Sequence, residues 1–353
     1  MAAIAQQVEG KQKAKNKIPT WFKTNNILYP VRLSMEQCSS EETAKYKAEI
    51  IKGRRFIDIT GGFGVDAFFI SQSFKKGVHC EVNKELQYIA QHNFKKLCSK
   101  ITSFNQNGLE YLQTVQEKFD LIYIDPSRRN ENNQKVVRLS DYTPNILEHI
   151  DLLFEKGENI LVKTAPLLDI KQVLKELPYV KEIHIVSLKN ECKEVLYLLD
   201  EKHTGEAQLH CINITQSKYS FSYSQENEIA SLDEPLDYLY EPNASILKAG
   251  AFNSIAKDFE LRKIHPNSHL YTSHNLVEGF PGRTFKIDAV CKYNKKELLK
   301  HLSYKKANIT KRNFPDSIAE IREKTGIKEG GEHYLFATTL QDNQPKILLC
   351  SKI

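Results

Sequence analysis

Between Arg55 and Asp200 the chain alternates short apolar, strand-like runs with helix-like ones, and this rhythm restricts its fold more than any other feature. The strand-like runs are FIDIT, VHCEV, ITSFN, FDLIYID and NILVKT, and the helix-like ones include DAFFISQSF, KELQYIAQHNFKKLC, LEYLQTV and LDIKQVLKEL. Strands joined through helices run parallel, so the alternation predicts an α/β domain whose sheet is covered on both faces. The end of the pattern differs. EIHIVSL and KEVLYLLD are separated only by Lys189, Asn190, Glu191 and Cys192, a connection that permits only an antiparallel pair. The expected sheet is Rossmann-like, with six parallel strands and one antiparallel strand.

A chain of 353 residues has room for two or three such domains, and with 41% hydrophobic and 27% charged residues it can bury a core. No stretch approaches the roughly 20 apolar residues that span a bilayer, and no apolar secretory core opens the sequence, so a cytoplasmic protein is expected. The seven cysteines are scattered without a C-x-x-C pair, which points to buried free thiols and gives no sign of a disulfide framework, a zinc ribbon or another metal site.

Charge divides the rest of the chain. Residues 1–52 form a basic arm and an N-terminal helical segment: the first 23 residues carry five lysines against Glu9 and read as a loose arm, while Ser39 to Ile51 reads as a helix. Residues 53–205 hold the sheet domain. Residues 206–282 are a linking region, in which Gln225 to Glu241 carries six acids and no basic residue and reads as a solvated connection, followed by a helix from Ala244 to Phe259. Residues 283–353 read as a compact α+β module, in which Arg283 to Arg312 has a net charge of +8.

The chemistry is concentrated in FIDITGGFG, Phe56 to Gly64, an apolar strand ending in Asp58 and running into a glycine-rich turn and a helix. Glycines let a backbone approach a ligand closely, and a helix N-terminus offers free N–H groups. Gly62 to Ala67 also satisfies the dinucleotide pattern G-x-G-x-x-A, which alone would suit a nicotinamide enzyme. Two acids tilt the choice. Asp58 would repel a pyrophosphate but attract a cationic amino acid, and Glu81, 17 residues past Gly64, stands where it can accept both hydroxyls of a ribose. An ammonium partner and a ribose partner together describe S-adenosyl-L-methionine. The chain offers no obvious hydride-transfer constellation.

With these residues the stretch from Ser34 to Asp200 resembles the class I S-adenosylmethionine-dependent methyltransferases, whose sheet carries the same reversed strand. The resemblance implies that Asp58 bears on the methionine part, that Thr60, Gly61, Gly62 and Gly64 pass beneath the cofactor, and that Glu81 holds the ribose. Thr60 stands where the common D-x-G-x-G-x-G pattern has its first glycine, and Asn107 lies where the class often places a group near the adenine. Asp125, Pro126, Ser127 and Arg128, in FDLIYIDPSRR, look like the D/N-P-P-x motif opposite the methyl group. A rigid turn there can orient an amine N–H for in-line displacement.

Upstream, RLSMEQCSSEETAKYKAEI is similar to a segment of a bacterial methyltransferase group with a C-terminal THUMP-like domain. The resemblance implies that Gln37, Ser39 and Ser40 cover the cofactor pocket; plain helix capping is the competing reading of these residues. YEPNASILKAGAFNSIAKDF and NITKRNFPDSIAEIREKTGIKEGGEHYLFAT resemble that group's linking region and THUMP-like module. Arg129, Lys305, Lys306, Lys311 and Arg312 are then expected on the backbone of a structured RNA, a tRNA or rRNA. No cysteine follows the fourth or fifth strand, so methylation of a nitrogen is favoured over carbon. A protein or small-molecule substrate, or a non-catalytic RNA-binding role, stays open on sequence grounds.

Overall fold

The computed structural model describes residues 2–128, 138–214, 216–302 and 305–353. The chain forms two compact units, residues 1–214 and 215–353.

The first unit begins with four helices, α1 (Ala2–Lys17), α2 (Pro19–Lys23), α3 (Arg32–Gln37) and α4 (Glu41–Ile50). The basic arm is therefore helical rather than loose. The polar surface of α1 conceals a narrow packing stripe: Gly10 lies so close to Tyr29 that an added Cβ would sit 2.3 Å from its Cβ, and Ala14 and Ile18 beyond it are fully buried. Gln6 and Gln7 donate from their amides to the carbonyl of Tyr29. Small residues at this spacing give no hydrophobic periodicity, so the sequence pattern hides the helix.

The sheet follows as β1 (Gly53–Asp58), β2 (Phe74–Cys80), β3 (Ile101–Phe104), β4 (Phe119–Ile124), β5 (Gly157–Thr164), β6 (Val180–Leu188), β7 (Glu191–Asp200) and β8 (Gln208–Asn213). Helices α5 (Val65–Ser71), α6 (Lys84–Lys96), α7 (Gly108–Thr114), α8 (Ile150–Lys156) and α9 (Ile170–Glu176) occupy the connections. The spatial order is β3-β2-β1-β4-β5-β7-β6-β8, and β7 is antiparallel to both its neighbours while the others run one way. The reversed strand is where the short connection required it. Lys189 and Asn190 both have positive φ, 54° and 58°, the geometry of a two-residue hairpin that matches strand twist. Strand β8 lies beyond residue 205 and extends the sheet by one further parallel strand.

The central strands carry continuous apolar runs because both faces are covered: Phe56, Ile57, Leu121, Ile122 and Leu161 are buried. Asn83, Asn107 and Asp169 cap the starts of α6, α7 and α9 with their side-chain oxygens. The N-terminal helices brace the ligand-facing end of the sheet. Trp21 is fully buried and packs edge-to-face on Phe63, 4.7 Å between centroids, inside the glycine turn.

The second unit contains β9 (Tyr238–Pro242), α10 (Ala244–Ala249), α11 (Ser254–Asp258), β10 (Gly282–Lys292), α12 (Lys295–His301), β11 (Asn308–Arg312), α13 (Ile318–Thr325), β12 (His333–Thr339) and β13 (Pro345–Lys352). Its sheet runs β9-β10-β13-β12-β11, with the short strands Tyr271–Ser273 and Arg262–Lys263 beyond β9. Two expectations change here. The helix expected from Ala244 to Phe259 is broken at Gly250, whose φ of 76° ends α10. The acidic connection is built in rather than solvated at two points: Glu226 accepts from the backbone N–H groups of Phe252, Asn253 and Ser254, and Glu241 is buried on β9.

Candidate active site at the carboxyl ends of the central strands

Asp58 ends β1 and is buried. Its Oδ1 accepts from the Thr60 N–H at 2.9 Å, the Gly61 N–H at 2.9 Å and the Thr60 hydroxyl at 3.1 Å. Burial pushes its carboxyl up to about 8 against these three donors. The glycine turn is shaped by contact on one side and openness on the other. A Cβ on Gly61 would lie 2.4 Å from the carbonyl oxygen of Cys80, whereas a Cβ on Gly62, at φ 66°, would meet nothing within 4 Å. Glu81, just after β2, holds the turn from beneath: its Oε2 accepts from the Gly62 N–H at 2.7 Å and its Oε1 from the Asn83 N–H at 2.6 Å. Each carboxylate oxygen has a second lone pair in reserve.

Thr60, which departs from the glycine of the common pattern, has a visible task. Its hydroxyl donates to Asp58 and accepts from the Asp125 backbone N–H at 2.8 Å. One side chain therefore ties the turn after β1 to the turn after β4. Pro126 is buried beside Asp125, and Ser127 is exposed, donating weakly to the Thr143 carbonyl at 3.4 Å. Arg128 is described through its backbone, which pairs with Tyr142; Arg129 lies outside the described residues.

Behind these turns is a group of charges that the sequence reading missed. Lys47 of α4 is fully buried, 2.6 Å from Glu194 of β7 and 3.1 Å from Asp66 at the start of α5. Lys163, near the end of β5, pairs with Asp125 and lies 3.5 Å from Asp66. Asp66 also accepts from the hydroxyls of Tyr123 at 2.7 Å and Ser39 at 2.8 Å. Burial alone would raise Asp66, but Lys47 and Lys163 hold it far below the usual carboxylate range. Burial opposes the Lys163 charge as well, and Asp125, Asp66 and Glu194 outweigh it, so its pKa stands above that of an ordinary lysine. Glu194 is raised by its burial. The signal in the sequence is a charge interrupting an apolar strand, Lys163 in NILVKT and Glu194 in KEVLYLLD.

The upstream residues divide. Ser39 is buried within this charge group, 3.3 Å from the Lys47 ammonium and 3.4 Å from that of Lys163. Ser40 caps α4, and Gln37 is exposed at the end of α3. Asn107 uses its Oδ1 to cap α7. In the second unit Lys305 and Lys306 are exposed and Lys311 half-buried, whereas Arg312 contacts buried Glu241 at 3.0 Å, and Arg283 pairs with the same carboxylate.

The strand order with its single reversed strand, closed by an acid, a glycine turn and a second acid, defines a class I S-adenosylmethionine-dependent methyltransferase. A solved structure of a candidate methyltransferase from Porphyromonas gingivalis W83 is 34% identical over 99% of this chain and 90% of its own, with a TM-score of 0.91. The THUMP domain-like family matches residues 282–352, and a ferredoxin-like domain matches residues 238–281. The chain thus belongs to the bacterial methyltransferase family with a C-terminal THUMP-like domain. Its cofactor is S-adenosyl-L-methionine, and the residues present fit that group: a buried acid for the ammonium, an open face at Gly62 and a second acid after β2. Two partial likenesses are more distant. M. capricolum TrmK in complex with S-adenosyl-homocysteine is 16% identical over 45% of this chain and 68% of its own, with a TM-score of 0.36. An rRNA methylase from Streptococcus thermophilus is 15% identical over 45% of this chain and 93% of its own, with a TM-score of 0.33. No curated protein sequence matches the chain.

Proposed function

We propose that this protein methylates a nitrogen of a structured RNA, tRNA or rRNA, in the cytoplasm. The observation that carries the reading is the Thr60 hydroxyl, which joins Asp58 and Asp125 so that the cofactor turn and the D-P-S-R turn form one rigid edge. S-adenosyl-L-methionine supplies an electrophilic methyl on a sulfonium. Asp58, ionised beside the methionyl ammonium, fixes one end, and Glu81 accepts ribose hydroxyls with its remaining lone pairs. Asp125, anchored by Lys163, accepts an N–H of the substrate and leaves the nitrogen lone pair aligned for displacement, so that catalysis is mainly positioning. Pro126 stiffens the turn, and the backbone of Ser127 and Arg128 continues it as a short strand paired with Thr143 and Tyr142.

RNA is favoured by the THUMP-like match together with the exposed Lys305 and Lys306 in a segment of net charge +8. Arg312 takes a different part in this reading, since its guanidinium faces Glu241. The test is a comparison of modified nucleosides by mass spectrometry between RNA from cells with and without the gene, with purified protein restoring the missing mark. Asp125→Ala should abolish that restoration and leave cofactor affinity nearly unchanged. RNA lacking any difference, and no transfer of labelled methyl to it, refutes the RNA reading and returns attention to a protein or small-molecule acceptor.

A further inference from the structure

A second constellation lies on the outer strands of the first unit and takes no part in the chemistry above. Register places His184 of β6 directly beside His210 of β8, and Glu182, two residues before His184, projects on the same face. The two imidazole Nε2 atoms converge on one carboxylate oxygen: Glu182 Oε2 is 3.2 Å from His184 and 3.5 Å from His210. All three donor atoms lie within 4.8 Å of one another. On the far side of the His184 ring, Nδ1 is 2.7 Å from the hydroxyl of Tyr46 on α4, whose ring meets it edge-on.

We propose that Glu182, His184 and His210 form a binding site for one divalent transition-metal ion, zinc by the chemistry of its donors, with a fourth position left for water. Two imidazoles and a carboxylate are a set that zinc accepts, whereas magnesium and calcium ask for oxygen alone. Tetrahedral bonds of about 2.0–2.1 Å separate neighbouring ligand atoms by roughly 3.3–3.4 Å; the 3.2 and 3.5 Å edges already match, and the third, within 4.8 Å, closes by rotation of the side chains. Tyr46 fits the outer role, because a ligating histidine needs its other ring nitrogen held by a partner. In the metal-free state Tyr46 can donate to Nδ1 while Nε2–H faces Glu182. On binding, the neutral ring exchanges its single proton through solvent from Nε2 to Nδ1, which leaves the Nε2 lone pair for the metal and lets Nδ1–H donate to the Tyr46 oxygen.

The consequence is mechanical. The ion would pin α4 to β6 and β8, and Tyr46 precedes Lys47, the buried ammonium behind the methyl-transfer edge. Purified full-length protein should retain one zinc per chain by elemental analysis, and cobalt in its place should give the visible absorption of a four-coordinate nitrogen–oxygen site. His210→Gln, at a half-buried position, should lower zinc affinity more than tenfold with an unchanged circular-dichroism spectrum. Tyr46→Phe should lower it about 10- to 100-fold while leaving the cobalt spectrum tetrahedral. Three results would overturn the proposal: no stoichiometric zinc, wild-type affinity in both His210→Gln and Glu182→Gln, or a sulfur-to-cobalt band placing the ion on cysteine.

Discussion

Replacing Lys47 by methionine tests the buried charge group directly. Its ammonium is inaccessible to water and stands within 3.1 Å of two carboxylates, on Asp66 and Glu194. The group holds three acids, Asp66, Asp125 and Glu194, against two lysines, so the substitution leaves Lys163 as its only cation among the described residues. Removing one partner of a buried ion pair costs about 3–5 kcal/mol, because the remaining charge stays desolvated. At roughly 2–4 °C per kcal/mol for a unit of this size, the transition should fall by about 6–20 °C. Trp21, the single tryptophan, is buried in the first unit, so its fluorescence during urea or heat unfolding follows the relevant part of the molecule. Adding Glu194→Gln to Lys47→Met should recover about 1–3 kcal/mol, since it removes one of the stranded charges. The pH response has a definite sign. With Lys47 gone, the native pKa of Glu194 rises further above its unfolded value, the native state binds more protons, and stability falls as pH rises through that window. The variant should therefore be closer to wild type at pH 5 than at pH 8. A loss below about 1 kcal/mol, or strictly additive losses in the double variant, would refute the reasoning.

If Asp58 faces the methionyl ammonium as proposed, cofactor binding should be pH-dependent: burial pushes its carboxyl up to about 8, and a cationic partner requires the ionised form, so affinity by calorimetry should climb up to tenfold per pH unit from about 6 to 8 and then level. A flat profile would mean that Asp58 does not face the ammonium. Thr60→Val removes the hydroxyl shared by Asp58 and Asp125 and should slow methyl transfer at least tenfold, on the order of 1.5–3 kcal/mol, while Thr60→Ser stays near wild type. Lys305→Ala with Lys306→Ala should weaken RNA binding and make the log–log salt slope shallower by roughly 1.4–1.8, as for two lost phosphate contacts. Arg312→Ala should instead destabilise the second unit by about 1–2 kcal/mol in unfolding experiments, because Arg283 still compensates Glu241.

The parts legible in the sequence were those written in local pattern. The alternating runs specify crossovers, the short link around Lys189 and Asn190 forces the reversed strand, and Asp58, the glycines and Glu81 announce a cofactor turn within one βαβ segment. What escaped depends on residues far apart in the chain. Lys47, Lys163 and Glu194 belong to no local motif and are brought together only by α4, β5 and β7, and Glu182 and His210 meet only through the register of β6 with β8. Helix α1 was obscured for a related reason: its packing stripe sets Gly10 against Tyr29 and buries Ala14, small residues that a hydrophobicity pattern does not register.

The pairing of Glu241 with Arg283 and Arg312 reaches past local stability. Glu241 sits in the stretch matched as ferredoxin-like and both arginines in the stretch matched as THUMP-like, while β9 and β10 are hydrogen-bonded neighbours in which Glu241 faces Arg283. Two names thus describe parts of one hydrogen-bonded sheet. A gene shortened at the seam would strand two guanidinium groups without their acid and bare a long strand to any passing chain, so descent should have kept both halves together or discarded them together.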